Sequence, residues 1–185
     1  MSNPEPNFFD GIAAIYDGTR GIPEPHFSRL MERMESYLDD QERTLDIGVG
    51  TGRFSRPLQS HGFDTVGIDI SREMVRIGIS KGLRDVLYAN ACSLPFKDNS
   101  FHSTLSVHLL HLIPDWLCAR QEAIRVTREN FITVKRVWLN DETPYKLYGE
   151  LTSKNGKLRK ALGMSEKDFP EKVKPSSQDY IGSRM

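Results

Sequence analysis

Apolar positions along this chain follow two periods in turn, and the change from one to the other marks out the elements. Phe27, Leu30, Met31, Met34 and Leu38 recur at helical spacing with charges between them, which predicts an amphipathic helix. From Arg43 onward, short apolar runs alternate with amphipathic stretches. "RTLDIG" reads as a strand, "GRFSRPLQSHG" as a helix closed by Gly62, and "FDTVGID" as a second strand. "SREMVRIGISKG" reads as a helix with Ser71 as its N-cap, and "RDVLYANA" and "SFHSTLSVHLL" as two more strands. "PDWLCARQEAIRVTR" follows as a helix with Pro114 in its first turn, then "NFITVKRVWL" as a fifth strand. Ahead of all these, "FFDGIAAIYDGTRGIP" reads as a loosely helical lead-in with aromatic anchors.

Strands that are apolar throughout and separated by helices indicate a parallel sheet covered on both faces. With right-handed crossovers the result is an α/β, Rossmann-like, doubly wound and mainly parallel sheet. Residues 1–40 are expected to form a helical lead-in or cap, 41–140 the core, and 141–185 a cap-like helical insert with an irregular tail. The last region is polar and lysine-rich, and "PYKLYGELTSKNGKLRKALG" is expected to form one or two amphipathic helices.

Composition narrows the classes of function. Lys plus Arg and Asp plus Glu number 25 each, so no basic excess points to nucleic acid. Cys92 and Cys118 have no metal-like spacing, and no metal is expected. The opening "MSNPEPNFFDG" has no signal-peptide pattern, and no apolar run is long enough to insert into a membrane. The expectation is a cytoplasmic protein with reduced thiols.

The concentrated chemistry lies in "TLDIGVGTGRF". Gly48, Gly50 and Gly52 stand between a strand and a helix, where a side chain would block a ligand from the backbone. Asp69 ends the next strand beside that loop and is placed to accept both hydroxyls of an adenosine ribose. A solvated helix cap is the alternative role for it. The glycine spacing is not the Gly-x-Gly-x-x-Gly of a dinucleotide site, because Arg53 occupies the position of the last glycine. Asp46, just ahead of the loop, would oppose a pyrophosphate but suits an ammonium or sulfonium. Both features favour S-adenosylmethionine over a nicotinamide cofactor.

"LDIGVGTGRF", "GIDIS..M", "ANACSLPFKDNSFH" and "SVHLLHLIPD" together resemble the class I S-adenosylmethionine-dependent methyltransferases. The closest likeness is to the type 11 group, which includes ubiquinone- and menaquinone-biosynthesis enzymes. The resemblance implies that Asp46, with the backbone of Gly48 and Gly50, holds the methionine end of the cofactor. It implies that Asp69 binds the ribose, that Ile70 and Met74 pack on the adenine faces, and that Asn90 and Ala91 meet its edge. Val107 and His108 would line the floor below the methyl group, and Tyr16 would close over the methionine carboxylate. This sequence departs from the family pattern in three places: Asn90 and His102 stand where Asp is usual, and "TREN" replaces a Pro-Gly-Gly turn. The family's closing helix and strand pair also find no counterpart in the sequence pattern. The fifth strand is therefore expected to be an open sheet edge, prone to self-association.

The expected activity is methyl transfer to a small-molecule acceptor by direct displacement. His108 and His111 follow the fourth strand and are the candidate general bases, with a packing role as the alternative for His111. Phe8, Tyr16, Arg20, Tyr145 and Tyr148 are candidate acceptor-pocket residues. A non-catalytic cofactor-binding or partner-binding protein is the second reading, and a nicotinamide dehydrogenase the third.

Overall fold

The computed structural model describes residues 8–22, 24–137, 146–153 and 158–161. The lead-in is helical, with α1 (Phe8–Ile12), a 3₁₀ turn over Ala13–Ile15 and α2 (Tyr16–Thr19). The amphipathic pattern that follows forms α3 (His26–Glu35), which buries Leu30, Met31 and Met34. Next come β1 (Thr44–Ile47), α4 (Ser55–Ser60), β2 (Thr65–Asp69), α5 (Arg72–Ser80), β3 (Val86–Tyr88) and β4 (Phe101–Val107). The last elements are α6 (Trp116–Val126), β5 (Thr127–Val137), β6 (Lys146–Ser153) and β7 (Leu158–Ala161).

The strands form one sheet in the order β3-β2-β1-β4-β5-β6-β7, with the first five parallel. The Rossmann-like α/β fold is therefore present, and the order reverses between β1 and β4. Crossovers leaving β1 and β4 diverge there, so a crevice opens at their carboxyl ends. Each face of the sheet has its own core. Leu45, Ile47, Ile68 and Phe131 pack with Ala119, Ala123 and Val126 of α6 on one face. Leu105, Ile132 and Val134 pack with Leu30, Met31 and Met34 of α3 and Leu58 of α4 on the other.

Three expectations are corrected. Lys146–Ser153 and Leu158–Ala161 are strands rather than helices. β6 pairs antiparallel with β5 from Asn130↔Ser153 to Val137↔Lys146, and β7 pairs antiparallel with β6. β5 is thus an interior strand, not an open edge, and a closing strand pair does stand beside it. The physical reason is backbone satisfaction: the unpaired donors and acceptors of β5 offer a ladder that the weakly periodic segment after it completes. Pro114 also lies outside α6, whose N-cap is Asp115, with its carboxylate accepting from the Cys118 N–H. The expected Ser71 cap is present at α5, accepting from the Met74 N–H at 3.2 Å.

Candidate functional site

The glycine loop turns sharply out of β1. Gly48, Gly50 and Gly52 have φ of +77°, +56° and +79°, a region that costs any other residue strain. Gly48 and Val49 both donate to the Ile68 carbonyl, at 2.8 and 2.9 Å, which pins the start of the turn against β2. A Cβ on Gly48 would lie 2.7 Å from the end of the Leu109 side chain, which would have to shift to admit it. Gly67, inside β2, is closed on space alone, because a Cβ there would meet the short Val49 side chain at 2.8 Å.

A cavity of about 610 Å³ opens over this loop at the carboxyl ends of the central strands. It gathers Tyr16, Gly48, Gly50, Asp69, Ile70, Met74, Asn90, Ala91, Val107 and His108 from the residues singled out in the sequence. Asp46 borders a small recess of about 40 Å³ that shares Tyr16, Gly48, Gly50, Val107 and His108 with the main cavity.

Two candidates are not brought to the cavity. Gly52 faces away from it, tight against the Arg56 and Leu83 side chains, so its glycine serves the turn. His111 is the exposed residue of a 3₁₀ turn over Leu110–Leu112, and what burial it has lowers its pKa. His108 is the histidine that faces the cavity, held at φ +54° with its N–H on the Val134 carbonyl at 2.7 Å. Of the acceptor-pocket candidates, Tyr145 lies outside the described residues, as do the side chains of Phe8 and Tyr148. The Arg20 carbonyl accepts from the Arg53 guanidinium.

The sequence reading missed Phe9, Ile68, Ala89, Cys92, Leu109, Leu112, Ile113, Pro114 and Asp115, which complete the wall. Phe9 stacks edge-on to Tyr16 with centroids 6.5 Å apart. The run from Leu109 to Asp115 was available as the segment leaving the fourth strand, but only the register of that strand shows that it turns over the crevice.

Two carboxylates give the site its electrostatics. Asp69 accepts from the Gly50 N–H and the Ser71 N–H, both at 2.8 Å, one through each oxygen. Each oxygen keeps a lone pair for a ligand hydroxyl. Burial raises the Asp69 pKa against these hydrogen bonds, and Asp10 nearby raises it further. Asp46 is 2% exposed and accepts from Ser55 Oγ at 2.6 Å. Its pKa is pushed up to about 6 by burial, opposed by the Ser55 hydrogen bond and reinforced by the charge of Asp69. A buried carboxylate without a cation is an unfavourable arrangement that a bound ammonium would relieve. Asn90 spends its side-chain oxygen on the Cys92 N–H at 2.9 Å, which leaves one lone pair on that oxygen for a base edge.

The lead-in is tied across this site by its own acids. The Asp10 carboxylate accepts from Ser71 Oγ and from the Glu73 N–H, at the start of α5. Asp17 takes the Thr51 hydroxyl at 2.6 Å and Lys81 Nζ at 2.6 Å, at the far end of the same helix. Burial acts to raise the Asp17 pKa, but Lys81, Thr51 and Arg53 together hold it below the ordinary value. Arg53 lies over the Tyr16 ring at 5.6 Å.

A glycine loop at the switch point of a parallel sheet is the arrangement of α/β proteins that bind nucleoside cofactors. The family of matching sequence is described as a methyltransferase domain and covers residues 45–132. An uncharacterized protein of Methanocaldococcus jannaschii is 30% identical over 91% of this chain and 79% of its own length. The demethylmenaquinone methyltransferase of Renibacterium salmoninarum is 31% identical over 65% of this chain, which spans only 52% of that enzyme. Among solved structures, an S-adenosylmethionine-dependent methyltransferase of Thermotoga maritima, described as a possible histamine N-methyltransferase, superposes with a TM-score of 0.58. It shares 26% identity, covering 72% of this chain and 61% of its own. Residues 45–132 therefore form a methyltransferase domain, similar to those of the class I S-adenosylmethionine-dependent methyltransferases of the type 11 group. Among the described residues no helix is long and apolar enough to cross a membrane, and no group of three His, Cys, Asp or Glu is placed to hold a metal.

Proposed function

We propose that this chain binds S-adenosylmethionine in the cavity over the glycine loop and methylates a small-molecule acceptor there by direct displacement. The observation that carries the reading is the buried Asp46 beside positive-φ glycines, with Asp69 on the adjoining strand. A carboxylate with its pKa raised to about 6 and no cation fits the ammonium of a methionine moiety. Asp69, with a lone pair left on each oxygen, fits the two ribose hydroxyls. Ile70 and Met74 supply apolar, adaptable contacts for an adenine ring.

When bound, the cofactor supplies a methyl carbon already activated by a sulfonium. The chain's own part is binding and alignment, since displacement depends on holding the acceptor atom in line with the methyl. Val107 and His108 form the floor of that alignment. His108 is the group placed to take a proton from an acceptor that must lose one. Phe9 and Tyr16 close the cavity on the lead-in side and exclude water. The strands β6 and β7 beside β5 support a catalytic over a non-catalytic reading.

Calorimetric titration with S-adenosylhomocysteine tests the reading. Micromolar binding is expected, lost on Asp69→Ala. A folded chain that does not bind it, or binds equally well with Asp69→Ala, would refute the assignment.

A further inference from the structure

A second cavity, about 930 Å³, lies outside the glycine loop, between α4 and the turn that follows α5. The whole chain balances 25 basic against 25 acidic side chains, yet this groove is bordered by Arg53, Arg56, Lys81 and Arg84 against Asp17 alone. Asp17 is already engaged by Lys81 and Thr51, with Arg53 3.8 Å away. Arg56 and Arg84 have no carboxylate partner among the described residues. The Nη2 of Arg53 is buried without a hydrogen-bond acceptor.

The groove is also preorganised. Gln59 reaches from α4 to accept from the Arg84 N–H at 3.1 Å and to donate to the Arg84 carbonyl at 2.8 Å. Arg84 Nη2 in turn donates to the Gln59 carbonyl at 3.2 Å, so the guanidinium is fixed relative to Arg56 one turn earlier in α4. Cations held together in a concave surface repel one another and focus a positive potential into it, which an anion neutralises. Guanidinium groups match phosphate oxygens bidentately. Phe27, packed on Phe54 with centroids 5.7 Å apart, and Pro57 add an apolar border.

We propose that this groove is a second ligand site that takes the phosphate of a small organic phosphate on Arg56, Arg84 and Lys81, with its organic part against Phe27 and Pro57. A small ligand rather than a nucleic acid is favoured because the excess charge is local and the chain as a whole is neutral; a polymer is met by an extended basic surface. This proposal goes beyond the cofactor reading and does not depend on it, since neither Arg56 nor Arg84 borders the cofactor cavity.

The experiment is calorimetric titration of the full chain with phenyl phosphate, with phenol as the uncharged control. Saturable binding of phenyl phosphate alone is expected, weakened about tenfold or more in an Arg56→Ala/Arg84→Ala double variant. Circular dichroism spectra should be the same in both proteins, which reports folding independently. Should the double variant not fold, amide shifts in the wild-type chain decide the matter: phenyl phosphate is expected to move Gly82 and Arg84 and to leave Asn90 in place. No saturable binding, equal binding of phenol, equal binding by the double variant, or shifts centred on Asn90 would each overturn the site. A short single-stranded RNA that binds more tightly and displaces phenyl phosphate would overturn the small-ligand assignment.

Discussion

Asp46 should make the empty protein less stable at neutral pH than in mild acid, and replacing it with Asn should remove that dependence. Its folded pKa of about 6 stands above the ordinary 3.8, so between those values the folded chain holds a proton that the unfolded chain releases. Stability therefore falls as pH rises through this window and stays at the lower level above it. The whole interval, about 2 pH units, corresponds to roughly 3 kcal/mol at 1.36 kcal/mol per unit. Between pH 4.5 and 7.5 the part lost is about 2 kcal/mol. Asp46→Asn carries no such dependence, and any fixed cost of placing the amide there cancels when one pH is compared with the other. The advantage of the variant over the parent chain should thus be about 2 kcal/mol greater at pH 7.5 than at pH 4.5. For a chain of this size that is about 4–8 °C in Tm. Thermal melts by circular dichroism at the two pH values measure it. A difference that is unchanged between them, or larger in acid, would show that Asp46 is not the strained carboxylate described here. The same variant should bind S-adenosylhomocysteine about 10- to 150-fold more weakly, because the ammonium loses a charged partner.

Other substitutions test separate parts of the site. Asp69→Ala should cost roughly 2–4 kcal/mol of cofactor affinity, measured by calorimetry, since it removes the acceptors for the ribose hydroxyls. Gly67→Ala should lower stability by about 1–3 kcal/mol in urea melts, because the new methyl meets Val49 inside a packed strand. Ser71→Ala should cost about 0.5–2 kcal/mol through the lost N-cap of α5, and should also release Asp10 and speed proteolysis of the lead-in. His111→Ala should leave turnover within about twofold, whereas His108→Ala should lower it by about 100-fold if the acceptor must lose a proton, both read in a cofactor-product assay.

Most of the sheet and the glycine loop were legible because their signals are local. The periods of β1 to β5, the Ser71 cap and the spacing of Gly48 and Gly50 each lie within a few residues of what they determine, and Asp69 was found because parallel pairing of β1 and β2 brings the end of β2 beside the loop. β6 and β7 were not legible, since Lys146–Ser153 becomes a strand only by pairing with β5. Its composition, with Gly149 amid polar residues, favours neither helix nor strand strongly. Arg53 was legible only as the residue that spoils a dinucleotide fingerprint. Its contacts with Tyr16 and Arg20 join segments more than thirty positions apart, and no periodicity reports such a meeting. That His108 and not His111 borders the cavity was undetermined for a similar reason. The backbone is left-handed at His108, which sequence spacing does not reveal.

The two acids of the lead-in grip opposite ends of α5, and their surroundings differ. Asp10 makes its contacts in part-buried surroundings, whereas the Asp17–Lys81 pair is about 40% open to solvent. Ions in solution screen the exposed grip far more than the sheltered one. The strap over the cavity should therefore loosen from its α2 end first as ionic strength rises, hinging about Asp10. A ligand beneath it would exchange faster in high salt, while the ribose contact proposed for the part-buried Asp69 would keep its strength. Residence time and affinity would then respond to salt separately.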